Sequence, residues 1–136
     1  MGCPHRGTRD FRYCQEQWET SGPLRAFGIR VGADKVLAGA IDLRFAGAGL
    51  APGQVNVAYR LYPSWRGLGL ATRAVVLVSQ YAASEGGEEA VIQVEPENPA
   101  SAAVAQRAGF TPAKQPPSKD GTRFDWYIRD LRVAIE

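Results

Sequence analysis

A chain of 136 residues, 45% apolar and 22% charged, has the size and composition of one globular domain with a core; it is too short for two ordinary domains and not polar enough for disorder. Its net charge of +2 is too weak to mark a nucleic-acid binder, and its arginines stand singly rather than in a basic stripe. No apolar run approaches the roughly 18–20 residues of a membrane span, and MGCPHRGTRD offers neither an apolar signal core nor the Ser or Thr at position 6 that myristoylation needs.

In chain order, the first candidate element is TRDFRYCQEQWET (8–20), where Phe11, Cys14 and Trp18 fall on one helical face before Ser21-Gly22-Pro23 stops it. LRAFGIRV (24–31) and KVLAGAIDLRF (35–45) read as strands around a turn carrying Gly32-Ala33-Asp34. AGAGLAPG (46–53) is a loop, and GQVNVAYRLYP (53–63) alternates Val55, Val57, Tyr59 and Leu61 as a third strand closed by Pro63. Three sequential strands with short links make an antiparallel meander.

The period then changes. Apolar positions from Gly67 to Glu85 follow helical spacing up to a Gly86-Gly87 stop, and EAVIQVEP (89–96) is an apolar strand. Residues 55–95 therefore read as a right-handed β-α-β crossover with parallel strands. Asn98-Pro99 opens a short helix that ends at Ala108-Gly109, the proline sitting where its missing N–H costs nothing. TPAKQPPSKDG (111–121) is a turn-rich strand or loop, and RFDWYIRDLRV (123–133) is a final strand. The fold class expected is α/β with a mixed sheet, in one domain spanning 1–136.

Cys3 and Cys14 match no zinc spacing, so no metal is expected; His5, the only histidine, stands in an N-terminal segment, which speaks against a Ser-His or Cys-His nucleophile. Free thiols and the missing leader point to the cytoplasm. The stretch with the clearest chemistry is LYPSWRGLGLATRAVV (61–76). A helix N-terminus exposes unpaired N–H groups and partial positive charge. Gly67 and Gly69 remove side chains where an anion would sit, Ala71 keeps the first turn slim, Arg66 can add a forked contact and Thr72 a hydroxyl. Glycines placed for backbone reasons alone explain the turn equally well. A dinucleotide fingerprint is disfavoured, because three meander strands precede the glycines.

Arg66-Gly67-Leu68-Gly69-Leu70-Ala71 resembles the [Q/R]-x-x-G-x-[G/A] signature of GNAT acyltransferases, and Asn98-Pro99-Ala100-Ser101 with Val104-Ala105-Gln106-Arg107-Ala108-Gly109-Phe110 resembles the N-x-x-S…V-A-x-x-x-G-F segment of the ribosomal-protein N-terminal acetyltransferase branch. The resemblance covers roughly residues 24–133. It implies the GNAT acyl-CoA N-acyltransferase fold with two splayed parallel strands and acetyl-CoA as co-substrate. The pantetheine would lie along the backbone of Tyr59, Arg60 and Leu61, and the diphosphate on the amides of Gly67, Leu68, Gly69, Leu70, Ala71 and Thr72. Asn98 would reach the pantetheine amide, and Ser101 would lie near the thioester sulfur and protonate the thiolate. A small-molecule or peptide amine would attack the acetyl carbonyl directly, with neither nucleic acid nor membrane as partner; a homodimer is common among look-alikes.

The chain departs from the family pattern at three points. Gln93 stands where some members carry a glutamate base, and Ala105 where they carry a tyrosine acid, which leaves Glu95 and Tyr59 as base candidates beside a water chain. Residues 1–23 hold room for one helix, where relatives have a strand and about two helices. The first strand therefore looks missing, and the acceptor side open or completed by a second subunit. Trp65, Trp126 and Tyr127 are explained by core packing, with an acceptor or dimer contact as the other reading. The second functional reading is a GNAT-fold module that binds acyl-CoA without chemistry, as a sensor or a subunit; a third is a gene product whose true start lies upstream. Acceptor specificity would sit in loops 46–53 and 111–121.

Overall fold

The structure is a computed structural model and describes residues 24–47, 49–113 and 124–133. The helix expected over 8–20, both cysteines, His5, most of the proline-rich segment and the question of a preceding strand lie outside those residues. β1 (Leu24–Val31), β2 (Val36–Arg44) and β3 (Gln54–Leu61) form the expected antiparallel meander. The β1–β2 turn is closed by Lys35 N–H donating to the Gly32 carbonyl at 3.1 Å. Then come α1 (Leu70–Ser84), β4 (Glu89–Val94), α2 (Pro99–Arg107), β5 (Thr111–Ala113) and β6 (Asp125–Asp130).

The six strands make one mixed sheet in the order β1-β2-β3-β4-β6-β5. The final strand thus inserts between β4 and β5, and it is shorter than the expected 123–133. Alternation sorts the side chains onto two faces. Phe27, Ile41, Leu43, Val55, Val57, Ala90 and Ile92 point to one face, where Val75, Val78 and Ala82 of α1 and Ala105 of α2 close the core. Ala71, Val75, Val78, Ser79 and Ala82 are the buried stripe of α1, spaced as a helix face. Ser79 is accommodated there because its hydroxyl donates to the Val75 carbonyl at 2.7 Å.

Two details fix the middle of the sheet. β3 and β4 pair in parallel only at Gln54–Glu89, Val55–Ala90 and Asn56–Val91, although β3 continues to Leu61 and β4 to Val94. Beyond Asn56 the two strands diverge into a fork. On the far side of β3, Gly39 of β2 sits opposite Leu61, and a Cβ there would fall 2.2 Å from the Arg60 carbonyl oxygen. Gly39→Ala should therefore force β2 and β3 apart beside the fork, at a cost of about 1–3 kcal/mol. Urea unfolding checks this; a wild-type midpoint would show that the strands do not meet so closely.

Candidate functional site

The fork offers backbone groups that no neighbouring strand takes. The Tyr62 N–H donates to the Ala38 carbonyl at 2.8 Å, and the β2–β3 register runs without a bulge, so Arg60 and Ala58 also turn their polar groups toward β2. By alternation, Val57, Tyr59 and Leu61 turn theirs toward β4. The parallel ladder still uses the Val57 N–H, which makes the Tyr59 N–H the first amide above the fork with no partner among the described residues. Of the three residues expected to line the cleft with backbone, Tyr59 and Leu61 do so, and Arg60 does not, because its amide and carbonyl belong to the β2 ladder. Leu61 shares its carbonyl with Arg66, whose Nε donates to it at 3.2 Å. That contact ties the following loop to the end of β3 and leaves the rest of the guanidinium exposed.

A 3₁₀ turn at Pro63–Trp65 leads from β3 to the glycines, with Trp65 packed against the core. Gly67 and Gly69 have φ of 78° and 77°, in the left-handed region that side chains disfavour. α1 accordingly starts at Leu70, three residues later than its apolar spacing suggests, with Gly69 as N-cap and no side chain capping it. Among the described residues, none bonds the amides of Gly67 to Thr72; the first helical bond is Arg73 N–H to the Gly69 carbonyl at 3.2 Å. A Cβ built on Gly67 or Gly69 would meet nothing within 4 Å. The backbone conformation by itself demands these glycines, and the space before them is also open. The Ala71 methyl is buried and packs the first turn of the helix onto the sheet. Leu68 is exposed at the loop tip. Bare amides, open space and an adjacent arginine are what a diphosphate requires.

On the helix face of the fork, two expected residues come together. The Tyr59 hydroxyl lies 2.9 Å from Ser101 Oγ, across 42 positions of sequence, and either oxygen can be the donor. Burial pushes the Tyr59 phenol above its ordinary value near 10, and the Ser101 bond offsets part of that rise. Such a phenol keeps its proton at neutral pH. Ser101 is held by Asn98, whose Oδ1 accepts from the Ser101 N–H at 3.2 Å as the N-cap of α2. The far end of α2 is fixed to the sheet by Arg129 of β6, which donates to the Ala108 carbonyl and lies against Gly109. Ala105, which the resemblance aligns with a tyrosine acid, is fully buried in the core.

On the opposite face lie residues that sequence reasoning treated only in part. Gln93 Nε2 donates to Asn56 Oδ1 at 3.1 Å, linking the two strands where their backbone ladder has ended. Gln93 is noticeable in the sequence as a neutral stand-in for a carboxylate; Asn56 carries no signal until the register is known. Glu95 lies beyond the end of β4, exposed in the turn that leads to Asn98, and does not reach into the fork as a strand residue. Trp126 is buried beside Gln93, and Tyr127 packs against the core on the helix face. Among the described residues no group of His, Cys, Asp and Glu could hold a metal, and no helix is long and apolar enough to cross a membrane.

A diverging pair of parallel strands beside a helix start with bare amides is the arrangement that the two sequence motifs imply. Residues 5–111 match a family model described as an acetyltransferase (GNAT) domain. The chain belongs to the GNAT acetyltransferase family. Solved acetyltransferase structures superpose on about nine-tenths of it. A putative ribosomal-protein-serine acetyltransferase from Vibrio cholerae is 16% identical, with a TM-score of 0.73 over 90% of this chain and 72% of that one. An acetyltransferase from Agrobacterium tumefaciens is 27% identical, with a TM-score of 0.72 over 88% and 67%. RimL, a ribosomal L7/L12 alpha-N-protein acetyltransferase solved in complex with coenzyme A, is 20% identical, with a TM-score of 0.68 over 90% and 70%. At these identities the first and third establish the GNAT fold, including its RimL-like form. A search of the curated proteins by sequence finds no match.

Proposed function

We propose that this GNAT chain is an N-acetyltransferase that moves the acetyl group of acetyl-CoA to a primary amine by direct attack. The observation that carries the proposal is the alignment of three features along one fork: bare amides at Gly67–Thr72, a free Tyr59 amide, and the Tyr59–Ser101 pair. The amides and Arg66 bind the diphosphate, and the free backbone of Tyr59 and Leu61 binds pantetheine as an added strand. Asn98 keeps its Nδ2 for the pantetheine amide while its Oδ1 caps α2.

The Tyr59 N–H, pointing into the fork, polarises the acetyl carbonyl and stabilises the negative charge that develops there. The neutral amine attacks the carbonyl carbon, the C–S bond breaks, and the amine gives up its proton to water. The departing thiolate takes a proton from Ser101, which is resupplied from the Tyr59 phenol and then from solvent. This reading gives Tyr59 the part of an acid, and leaves Glu95 as a base only through water. It takes residues 1–136 as one domain working in the cytoplasm.

Free-thiol release from acetyl-CoA over a panel of amines tests the reaction, with Arg66→Glu as a control expected to weaken CoA binding at least tenfold. No heat of CoA binding in calorimetry would end the proposal. The amides at Asn56 and Gln93 favour a second reading, an acyl-CoA-binding sensor or subunit without turnover. It would be supported by tight CoA binding with no thiol release on any amine, and excluded by a rate that falls in Ser101→Ala.

A further inference from the structure

The register divides the fork between two faces of the sheet. Tyr59 and Ser101 lie on the helix face, where a thiolate can be protonated. Asn56 and Gln93 lie on the other, since Asn56 pairs with Val91 and Gln93 is the next β4 residue on that side. Their bond uses one Gln93 N–H and the Asn56 carbonyl. What remains is the Gln93 Oε1, which accepts, and the Asn56 Nδ2, which donates. Among the described residues, neither has another partner. Trp126 walls this position on the β6 side.

We propose that Asn56 and Gln93 form the acceptor subsite: Gln93 Oε1 accepts an N–H of the incoming amine, and the pair selects amines that are already neutral in solution. This rests on the acetyltransferase reading above. The physical reason is that a side-chain amide can orient an N–H but cannot take up a proton at any working pH. An ammonium reaching this position has lost its lone pair to a proton and finds no carboxylate to remove it. A side-chain amine of lysine type, with a pKa of about 10.4, is only ~0.1% neutral at pH 7.5, whereas an α-amino group, at about 7.7–8.0, is roughly one-third neutral. The substrate class is therefore amines of low basicity, including α-amino groups and amines beside electron-withdrawing substituents. The charged groups on the same face are Asp42 and Arg44 of β2, Arg60 of β3, Glu89 of β4 and Asp130 of β6, with Glu95 in the turn after β4; Asp42 sits opposite Ala58, a strand away from Gln93, and Glu89 accepts from Gln54 at 2.9 Å. Of these, only the carboxylates could act as a base instead.

The test is a pH series of acceptor kcat/KM for the full chain, using fluorinated ethylamines, glycinamide and butylamine, after CoA binding has been verified by calorimetry. In the wild type, the acid limb should move with each amine's own pKa, and rates should converge when divided by the neutral fraction. Gln93→Leu should lower acceptor kcat/KM about tenfold with the KM for acetyl-CoA unchanged. Gln93→Glu should replace the moving limb with one fixed limb, and raise butylamine at least tenfold relative to glycinamide. A single fixed limb for all amines in the wild type would overturn the inference, and Asp42→Asn and Glu95→Gln would then locate the base. Unchanged acceptor kinetics in Gln93→Leu, or CoA binding without turnover of any amine, would overturn it too. A chain that fails to bind CoA loses the acetyltransferase reading itself, an outcome separable from the others.

Discussion

Gly69→Val should weaken coenzyme A binding by about 100-fold or more, equivalent to about 2.8 kcal/mol. Two effects combine. The residue has φ of 77°, so any L side chain is strained there by about 1–2 kcal/mol, most of all a β-branched one. The new side chain also projects into the open space before the helix amides, where nothing lies within 4 Å of a Cβ. Gly86→Val provides the control: φ is 90° and the surroundings are equally open, but the position is at the other end of α1. Both variants should lose similar melting temperature, and only Gly69→Val should lose CoA affinity. Equal affinity in the two would remove the amides of α1 from the binding site.

The second large effect concerns the hydroxyl pair. Tyr59→Phe and Ser101→Ala should each lower kcat by about 100-fold, within the range for removal of a positioned acid. The KM for acetyl-CoA should change little. The double variant should be scarcely worse than the weaker single one, because the two hydroxyls pass one proton along one path. The sign of the pH dependence follows from burial. A phenol held above its ordinary value near 10 is protonated at every lower pH, so Tyr59 adds no alkaline limb to kcat below that value. An alkaline fall near neutrality in the wild type, absent in Tyr59→Phe, would refute the role. Additive losses in the double variant would separate the two residues into different functions.

Period and punctuation carried most of the architecture. The alternation of Val55, Val57 and Tyr59, the helical spacing after Leu70, and Asn98-Pro99 at a helix start are local signals, and the structure has those elements within a few residues. The start of α1 shifted because Gly67 and Gly69 take left-handed backbone, which apolar spacing does not register. What remained illegible is non-local. The position of β6 between β4 and β5 depends on a connection through 111–124, where prolines hide any period. The Tyr59–Ser101 contact spans 42 positions, and the Asn56–Gln93 bond spans 37; each needs the register of β3 against the crossover. Arg60 shows the same limit in miniature, since which neighbour a backbone group faces is set by pairing, not by residue type.

The last strand has a consequence for how the fold comes into being. β4 gains its second neighbour only from residues 125–130, and the same strand supplies the arginine that anchors α2. On a translating ribosome, the segment bearing Ser101 would be synthesised before the arginine that ties the far end of its helix to the sheet. The arrangement of the fork would then be completed in one step, when residues 125–130 join the sheet, rather than growing with the length of the nascent polypeptide.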